Sequence, residues 1–364
     1  MRKHHPDNER IKRKYLVFQK EARQQSEATI DSIAKSLSRF EEYTRWKSFK
    51  RFHFEQAVAF KRHLTTQNNA RTGKSLSKST VSIALNHIKK FFEWLSQQPG
   101  YKSRLNYSDA EYFNLSEKDT RIATTKRPVP VPTIEQIKHV LRSMPIDNNI
   151  ELRNRALVAF TLLTGARDRA IASMSLKHVN LAENFVFQDA REVATKFSKT
   201  FTTYFFPVGE DIHKIVTEWV IYLQEKLLWG NEDPLFPATN VDISIQSQFE
   251  ANGLKREHWR TANPIRDIFK QAFESAGLRY FNPHSFRNTL VQLGEQTCTT
   301  PEQFKAWSQN LGHDNVMTTF TSYGEVAQSR QAEILQTILV SNNNDGQEKL
   351  ARSIHRMIQE YNAT

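Results

Sequence analysis

Residues 282–326 read NPHSFRNTLVQLGEQTCTTPEQFKAWSQNLGHDNVMTTFTSYGEV and carry several side chains that can perform chemistry. Two histidines, His284 and His313, share this polar stretch with Arg287 and Tyr323. A hydrophobic core needs none of these four. On a helix, His284 and Arg287 lie one turn apart and face the same side. The stretch therefore indicates a chemical site and not a packing element.

The bulk composition predicts a folded protein. With 364 residues, of which 38% are hydrophobic and 11% aromatic, the chain is long enough for two or three domains. Its longest apolar runs, such as ALVAFTLL at 156–163, are shorter than the roughly 20 residues of a membrane span, and the N-terminus lacks the apolar segment of a signal peptide. We therefore expect a cytoplasmic, nucleoid-associated protein with no membrane partner.

The sequence offers little for disulfide or metal chemistry. Cys298 is the single cysteine, which excludes an internal disulfide, and we expect it to be a small, half-buried residue. The histidines are scattered, and neither HExxH nor CxxC occurs. We expect no metal and no other cofactor.

Positive charge is concentrated in the first third of the chain. The net charge is +12, and residues 1–130 hold 27 Lys and Arg against 13 Asp and Glu, which leaves 24 against 26 for the remainder. Such a regional surplus favours a surface that meets phosphate backbones, although an anionic membrane or a solvated face can give the same pattern.

The basic part divides into three predicted segments. Residues 1–25 form a basic N-terminal extension that we expect to be partly ordered. Residues 26–115 form a small helical domain, since apolar stripes predict helices over 27–46, 53–64 and 77–97. Residues 116–132 form an interdomain linker, which we expect to be extended because three prolines fall within its last five positions.

The loop before the third predicted helix carries the predicted DNA contacts. Arg71, Lys74 and Lys78 lie next to a helix start at Ser77 or Ser79. Basic side chains beside a helix N-terminus are suited to phosphate, because the free N–H groups and the helix dipole already favour an anion. An ordinary solvated loop is the alternative.

Residues 133–327 form a second predicted domain, mostly helical with a small sheet. A capping box of Thr133 and Gln136 begins its first helix. Further helices are predicted over 152–167, 170–179, 210–228 and 263–278, and two β-rich segments over 184–190 and 201–208 predict strands. Residues 328–364 form a helical tail that either folds back on its own domain or contacts a neighbouring protomer. The predicted fold class is mainly α with a small antiparallel β-sheet.

Four motifs follow one another in this second domain. TGAR at 164–167, HSFR at 284–287, LGH at 311–313 and Tyr323 occur in that order behind the basic helical domain. In these motifs the chain resembles the tyrosine recombinases, also called phage integrases, over roughly residues 26–325. The resemblance implies a two-domain DNA clamp, a helical core-binding domain followed by a catalytic domain.

The resemblance also implies an activity and its partners. The protein would be a site-specific recombinase or integrase that cleaves DNA through a 3′-phosphotyrosyl intermediate, without a cofactor, to integrate or excise a mobile element. Its partners would be double-stranded DNA at recombination sites, three further copies of itself in a tetramer, and accessory DNA-bending proteins. The alternatives are a type IB-like topoisomerase and a catalytically silent DNA-binding regulator of the same fold.

The resemblance assigns a role to each motif residue. Arg167 and Arg287 would neutralise the charge that grows on the attacked phosphate, a task that suits guanidinium groups because they are always charged and bind two oxygens at once. His284 would accept the proton of the nucleophile or hydrogen-bond a phosphate oxygen, and His313 would donate to the phosphate. Tyr323 would be the nucleophile.

Some of these assignments have alternatives. Arg167 can instead cap a helix end, and either histidine can be a satisfied core residue. Tyr323 follows His313 by ten residues, whereas the family usually shows nine, so Tyr280 is kept as a second candidate nucleophile.

Two further positions follow from the resemblance. The family's general acid is a lysine between two strands, and here Lys199, eight residues before Pro207, is preferred over Lys196. The family commonly has Glu or Asp three residues after the first arginine, where this chain has Ala170. Either Asp168 takes over that supporting role or the support is missing.

Overall fold

The computed structural model describes residues 4–69, 73–125, 130–243 and 249–313. The predictions for Arg71, Tyr323 and the tail at 328–364 lie outside these residues. The chain divides into two compact units, residues 1–125 and 126–364, with the division inside the predicted linker segment. As predicted, the fold is mainly helical with small antiparallel sheets.

The first unit is helical throughout. Serine side chains begin three of its helices, since Ser26, Ser77 and Ser116 each accept a hydrogen bond from the backbone N–H three residues on. Its helices are α1 (Pro6–Val17, continued by a π-helical turn, Phe18–Ala22), α2 (Glu27–Tyr43), α3 (Phe54–Thr66), α4 (Lys78–Leu95) and α5 (Glu117–Thr124).

Aromatic side chains dominate the core of the first unit. Phe40, on the buried face of α2, has its ring centroid 5.0 Å from that of Phe60 on α3 and 5.2 Å from that of Phe92 on α4. Phe113, in the 3₁₀ segment Tyr107–Phe113, lies 6.0 Å from the same ring. Edge-to-face pairs of this kind join the three predicted helices around one centre.

The N-terminal extension is more fully ordered than the sequence suggests. Helix α1 begins at Pro6, and Tyr15 is 1% exposed with its ring 5.1 Å from that of Phe91. The side chain of Asn8, also buried, donates to Glu41 and to the carbonyl of Lys47. The prediction of a partly ordered tail underestimated this segment, because a short apolar stripe suffices when a larger core can receive it.

The segment 116–132 is not extended along its whole length. Helix α5 occupies residues 117–124, and Asp119 pairs with Lys78 at the start of α4 at 2.9 Å. Thr125, where the helix ends, has extended backbone, but the prolines further along do not prevent a helix in the first half of the segment.

The second unit contains seven helices and two sheets within its described residues. The helices are α6 (Ile134–Ser143), α7 (Asn149–Thr164), α8 (Asp168–Ile171), α9 (Glu210–Ile221, continued by a π-helical turn, Tyr222–Lys226), α10 (Asn263–Ser275), α11 (Pro283–Thr297) and α12 (Pro301–Asn310). The strands are β1 (Val179–Asn180), β2 (Phe185–Gln188), β3 (Phe201–Tyr204), β4 (Ala238–Ile243) and β5 (Phe249–Lys255).

Strands β1, β2 and β3 form an antiparallel sheet in that order. β2 and β3 are the two predicted strands, and Val186 on β2 pairs with Thr203 on β3. The β4–β5 hairpin is a second sheet that was not predicted. Val241, Ile243 and Ile245 alternate with polar neighbours in the sequence, which is the usual strand pattern, and the prediction overlooked it.

The helix predicted over 170–179 is wrong. Helix α8 ends at Ile171, and a 3₁₀ turn occupies Leu176–His178. The backbone of this stretch bonds to a distant segment instead, since Leu176 N–H donates to the carbonyl of Asp233, and Leu235 N–H donates to the carbonyl of Met174. Tertiary hydrogen bonds outweighed the helical spacing of the apolar residues.

Helix α7 is the central element of the second unit. Every residue from Ala156 to Thr164 is buried, so this half of the helix is enclosed by its neighbours. It delivers the TGAR motif from the middle of the core to the surface. In the described ranges of the chain we find no helix with the length and apolar character needed to cross a membrane.

Candidate active site

The TGAR motif forms a tight turn at the end of α7. Gly165 has a φ of +59°, and its N–H donates to the carbonyl of Thr161 at 2.9 Å. A Cβ at this position would lie 2.9 Å from side-chain atoms of both Leu290 on α11 and Leu311 in the LGH motif. Glycine thus allows both motifs to approach the turn. Arg167, half-buried, follows in extended backbone at the start of α8.

Arg287 joins three of the motifs. It lies on α11 and is 3% exposed. One terminal nitrogen donates to the carbonyl of Gly165, and the other donates to the carbonyl of Leu311 and to Nε2 of His313, the last at 3.1 Å. The guanidinium therefore holds the TGAR turn and the LGH turn against α11, as a buried cation with several acceptors requires.

His313 is neutral in this arrangement. Burial, together with the positive charges of Arg287, Arg167, His284 and Lys199, lowers its pKa to about 4. A neutral ring is needed for Nε2 to accept from Arg287. All four of these residues are close enough for their charge to act on His313. The structure thus brings together five of the predicted catalytic residues: Arg167, Lys199, His284, Arg287 and His313.

His284 stands at the start of α11 and reaches the protein surface. Partial burial lowers its pKa, as do the charges of Arg287, Arg167 and Lys196, while Asp168 acts in the opposite direction. A histidine with a lowered pKa is unprotonated at neutral pH, and its free ring nitrogen can accept a proton.

The two candidate lysines lie on the loop between β2 and β3. Lys199 is half-buried, with Nζ 5.9 Å from the ring centre of Phe201, whereas Lys196 is exposed, with Nζ 4.7 Å from that of Phe197. Lys199 acts electrostatically on His313 and Lys196 on His284. Both lysines therefore stay candidates, and the half-buried position favours Lys199.

The start of β3, where the loop ends, contacts the LGH motif. A Cβ at Gly312, whose φ is +70°, would lie 2.7 Å from the ring of Phe201. Glycine thus lets the aromatic ring at the start of β3 pack directly against the backbone next to His313.

Asn310, at the end of α12, is a positioning residue that the sequence did not reveal. Its side-chain oxygen accepts from Tyr204 N–H at 2.7 Å, and its side-chain nitrogen donates to the Tyr204 carbonyl at 2.8 Å. Its own carbonyl accepts from the Thr203 hydroxyl at 3.1 Å. The amide thus pairs with β3 as a neighbouring strand would. An asparagine at a helix end otherwise reads as an ordinary cap.

Asp168 takes part in an ion pair that the sequence did not predict either. Its carboxylate accepts from Nε of Arg266 on α10 at 2.8 Å and from Arg169 N–H at 2.9 Å. Ala170, where the resemblance leads one to expect an acidic residue, is 1% exposed and packs in the core. No local pattern marks Arg266, because its partner lies 98 positions earlier in the chain.

Asp168 and Arg266 line one cleft with the predicted catalytic residues. The cleft has a volume of about 390 Å³. The residues that line it are Arg167, Asp168, Arg266, Asn282, Pro283 and His284. Two guanidinium groups, those of Arg167 and Arg266, face one carboxylate here, and α11 begins at the same place. The cleft thus suits an anion.

Among the remaining predicted residues, Tyr280 lies close enough to Arg266 and Asp168 for their charges to act on it. Tyr280 is 40% exposed, and partial burial raises its pKa, which lowers the fraction of reactive phenolate. In the first unit Lys74 is exposed, and Lys78 pairs with Asp119. Cys298 is half-buried, as expected, and burial raises the pKa of its thiol. Among the described residues no cluster of His, Cys, Asp or Glu could hold a metal ion.

Curated proteins with similar sequences are tyrosine recombinases. The chain is 23% identical over 328 residues to tyrosine recombinase XerC of Halalkalibacterium halodurans, covering 89% of this chain and 95% of the relative. It is 22% identical over 271 residues to tyrosine recombinase XerD of Pasteurella multocida, covering 73% and 78% of the two chains.

Solved structures with a similar fold are integrases. A lambda integrase dimer bound to a COC′ core site aligns with a TM-score of 0.59 at 11% identity, covering 88% of this chain and 96% of that one. The Tn1549 transposon integrase in complex with transposon right end DNA aligns with a TM-score of 0.56 at 13% identity, covering 91% and 98%. These likenesses concern the fold.

The sequence match to a family model is more specific. The model described as the phage integrase family matches residues 132–330, more than half of the chain, and this range includes all four motifs. The chain therefore belongs to the phage integrase family, the tyrosine-type site-specific DNA recombinases.

Proposed function

We propose that this recombinase cleaves and rejoins DNA strands through a 3′-phosphotyrosyl intermediate formed by Tyr323. The observation that carries the proposal is the buried guanidinium of Arg287, which bonds the TGAR turn, the LGH turn and His313 at once. A structural arginine needs carbonyl acceptors, but it does not need a second arginine and two histidines around it. Such a concentration of positive charge is suited to a phosphodiester.

Arg167 and Arg287 would stabilise the transition state. When an oxygen attacks the phosphorus atom, negative charge grows on the non-bridging oxygens. Arg287 is held rigidly in a buried setting, where a fixed cation stabilises such charge more than it does in water. Arg167, half-buried beside it, would supply the second guanidinium.

The histidines would handle a proton and a phosphate oxygen. His284 would accept the proton that Tyr323 loses on attack, which requires the neutral ring that its lowered pKa provides. His313 would donate to a non-bridging oxygen. An arriving phosphate anion offsets the surrounding cations, and so it would raise the pKa of His313 and favour the donating form.

A lysine would act as the general acid and protonate the leaving 5′-oxygen. The phenolic oxygen of Tyr323 bonds to phosphorus while the bond from phosphorus to the 5′-oxygen breaks, and Lys199 gives its proton to that oxygen. The reverse sequence rejoins the strand. Lys196 is the alternative acid, because it lies on the same loop and its charge acts on His284.

The wider features of the reaction belong to the same proposal. Residues 26–115 would form the core-binding domain and 133–327 the catalytic domain, with 116–132 between them. The working assembly would be a tetramer on paired recombination sites, with the tail at 328–364 contacting a neighbour and with accessory DNA-bending proteins. The reaction would serve a mobile element in the nucleoid. The relatives in complex with DNA support the nucleic-acid partner.

The test begins with the selection of a binding site. Randomised duplexes retained by the Tyr323→Phe protein supply the recognised sequence, because that variant binds DNA without forming a covalent adduct. The wild-type protein is then incubated with the selected duplex carrying a nick close to the cleavage position, so that a short strand diffuses away and the adduct persists. Denaturing electrophoresis measures the adduct.

Peptide mapping of the adduct identifies the nucleophile. Trypsin places Tyr280 on the peptide 280–287 and Tyr323 on the peptide 306–330, so the two candidates separate cleanly. We expect the DNA on 306–330 and no adduct from Tyr323→Phe. DNA on 280–287 would overturn the assignment, and a wild-type protein that binds without any adduct would favour the silent regulator. Supercoil relaxation without recombinant products from paired sites would favour the topoisomerase.

A further inference from the structure

The ion pair between Asp168 and Arg266 has an unusual position. Asp168 directly follows Arg167, and its carboxylate lines the same cleft as Arg167 and His284. A carboxylate at this place would repel a phosphate unless its charge were neutralised. Arg266 supplies the neutralising charge through Nε at 2.8 Å.

The geometry of the pair leaves part of the guanidinium for another acceptor. Arginine has five N–H donors in a planar fork. The bond to Asp168 engages Nε, and the Arg266 side chain remains 53% exposed while it lines the cleft. The carboxylate fixes the plane of the fork, and the two terminal nitrogens are suited to bind a pair of phosphate oxygens.

The cleft is large enough for more than the attacked phosphate. Its volume is about 390 Å³, and Arg167 and His284, which belong to the catalytic cluster, form only part of its lining. Arg266 comes from α10, a different element from those that carry the catalytic residues. If one phosphate of a DNA strand lies at the catalytic cluster, we expect a neighbouring phosphate of the same strand to lie beside the rest of the cleft.

We infer that Arg266, oriented by Asp168, is an additional phosphate-binding residue that holds a backbone phosphate next to the one attacked. This inference rests on the proposed function for the location of the attacked phosphate. Arg266 would position the DNA strand, and Asp168 would act through Arg266. The pair would thereby help to position the DNA strand. It would do so in a chain that has Ala170 where the family commonly has an acidic residue.

The chain offers a matched control for this pair. Arg256 bonds Asp233 through Nε at 2.6 Å, and its side chain is 56% exposed against 53% for Arg266. Arg256 does not line the cleft. Arg256 also bonds Asp233 through a terminal nitrogen, so its guanidinium is turned further toward its partner than that of Arg266. Arg256→Ala therefore removes the same charge and breaks an arginine–aspartate pair at a different place.

The first experiment measures equilibrium binding to the selected duplex in a Tyr323→Phe background, so that it does not depend on cleavage. Arg266→Ala should reduce the slope of the logarithm of the binding constant against the logarithm of the salt concentration by about one. Arg266→Lys should restore most of that slope, and Arg256→Ala should leave it unchanged. Equal slopes for Arg266→Ala and Arg256→Ala would overturn the inference.

The second experiment locates the phosphate. Neutral methylphosphonates replace, one at a time, the phosphates on either side of the cleavage position. At one neighbouring position the parent protein and Arg266→Ala should bind equally well, because the charge that Arg266 meets is gone. An Arg266→Ala defect that persists undiminished at every position would show a structural role and overturn the inference.

The cleavage reaction separates this inference from the proposed function. With an otherwise wild-type chain, Arg266→Ala should raise the half-saturating DNA concentration several-fold and change the adduct rate at saturation much less. Asp168→Asn should give a smaller change of the same kind. Absence of any wild-type adduct would count against the proposed function alone, since the binding measurements stand independently.

Discussion

The bond between Arg287 and His313 links the charge state of one residue to the position of another. Arg287 donates a hydrogen bond to Nε2 of His313 at 3.1 Å. Only an unprotonated ring nitrogen can accept this bond. Protonation of His313 would place two cations in contact and remove this bond. The free protein therefore favours the neutral ring, and a bound anion would weaken that preference.

His313 should titrate differently in the free and the DNA-bound protein. We expect its ring to titrate near pH 4 in the free protein and at a higher pH with duplex DNA bound to the Tyr323→Phe variant. Nuclear magnetic resonance of the histidine ring protons measures both values. His313→Gln identifies the resonance by removing it. A free-protein value at or above the ordinary 6.5 would contradict the charge arrangement described for this site.

The same lowered pKa makes stability depend on pH. Between pH 4 and 6.5 the unfolded chain binds a proton at His313 that the folded protein does not, so the free energy of unfolding falls as the pH falls through this window. Above the window the contribution is constant. We expect His313→Gln to flatten this part of the profile in urea denaturation at several pH values. An equally steep profile in the variant would exclude His313 as its source.

Gly165 allows a close approach that a side chain would prevent. We expect Gly165→Ala to lower the free energy of unfolding by about 2–4 kcal/mol, because the left-handed backbone and the contacts with Leu290 and Leu311 both become unfavourable. Gly277→Ala is the control, since its φ is +72° but a Cβ there meets nothing within 4 Å. Similar losses for both variants would show that only the backbone conformation matters.

At the scale of elements, the contact between α12 and β3 holds the lysine loop beside the LGH turn. Asn310→Ala removes two hydrogen bonds to the backbone of Tyr204. We expect the adduct rate at saturating DNA to fall about tenfold or more, because a misplaced general acid loses much of its effect. DNA affinity should change much less. Gln309→Ala, at an exposed neighbouring position, is the control, and an unchanged rate for Asn310→Ala would contradict the positioning role.

The elements that sequence patterns predicted are those with local causes. The Thr133 capping box and the serine cap of α4 form as predicted, since their donors and acceptors lie within one turn. The β4–β5 hairpin and the stretch at 170–179 were missed. At 170–179 the backbone partners come from other segments, such as the carbonyl of Asp233 for Leu176, and no local pattern reveals them. The partners of the hairpin strands are local, and there the alternation of apolar residues was overlooked.

The site shows the same distinction. Arg167, Arg287 and His313 were found because short motifs mark them, and the structure places them together. Arg266 and Asn310 were missed because their partners, Asp168 and Tyr204, lie 98 and 106 positions away. Residues that position a site can come from any element that packs beside it. Reasoning from a single sequence therefore finds the catalytic residues more readily than the residues that position them.

At the scale of the whole molecule, the basic surplus of the first third predicts a salt-dependent interaction with DNA. Lys74 is exposed, and Lys74→Ala should lower the salt slope of DNA binding by about one. Lys78 already pairs with Asp119, so Lys78→Ala removes a cation and also leaves a carboxylate unneutralised. It should weaken binding more than Lys74→Ala does.

The control for Lys78 is the double variant with Asp119→Asn, which removes the unneutralised carboxylate and should recover part of the lost affinity. Binding isotherms at several salt concentrations measure all three proteins. Slopes that match the unsubstituted chain would show that this loop does not meet phosphates.

The packing of Phe201 against Gly312 has a mechanical consequence for control of the reaction. This packing and the hydrogen bonds of Asn310 join β3 to the LGH turn. Lys199, the candidate proton donor, and His313, the candidate phosphate ligand, would therefore move together. One displacement of β3 and the LGH turn would withdraw both functions. Because the LGH turn also accepts hydrogen bonds from Arg287, the same displacement would loosen that arginine, and a shift of one hairpin would switch off the whole site.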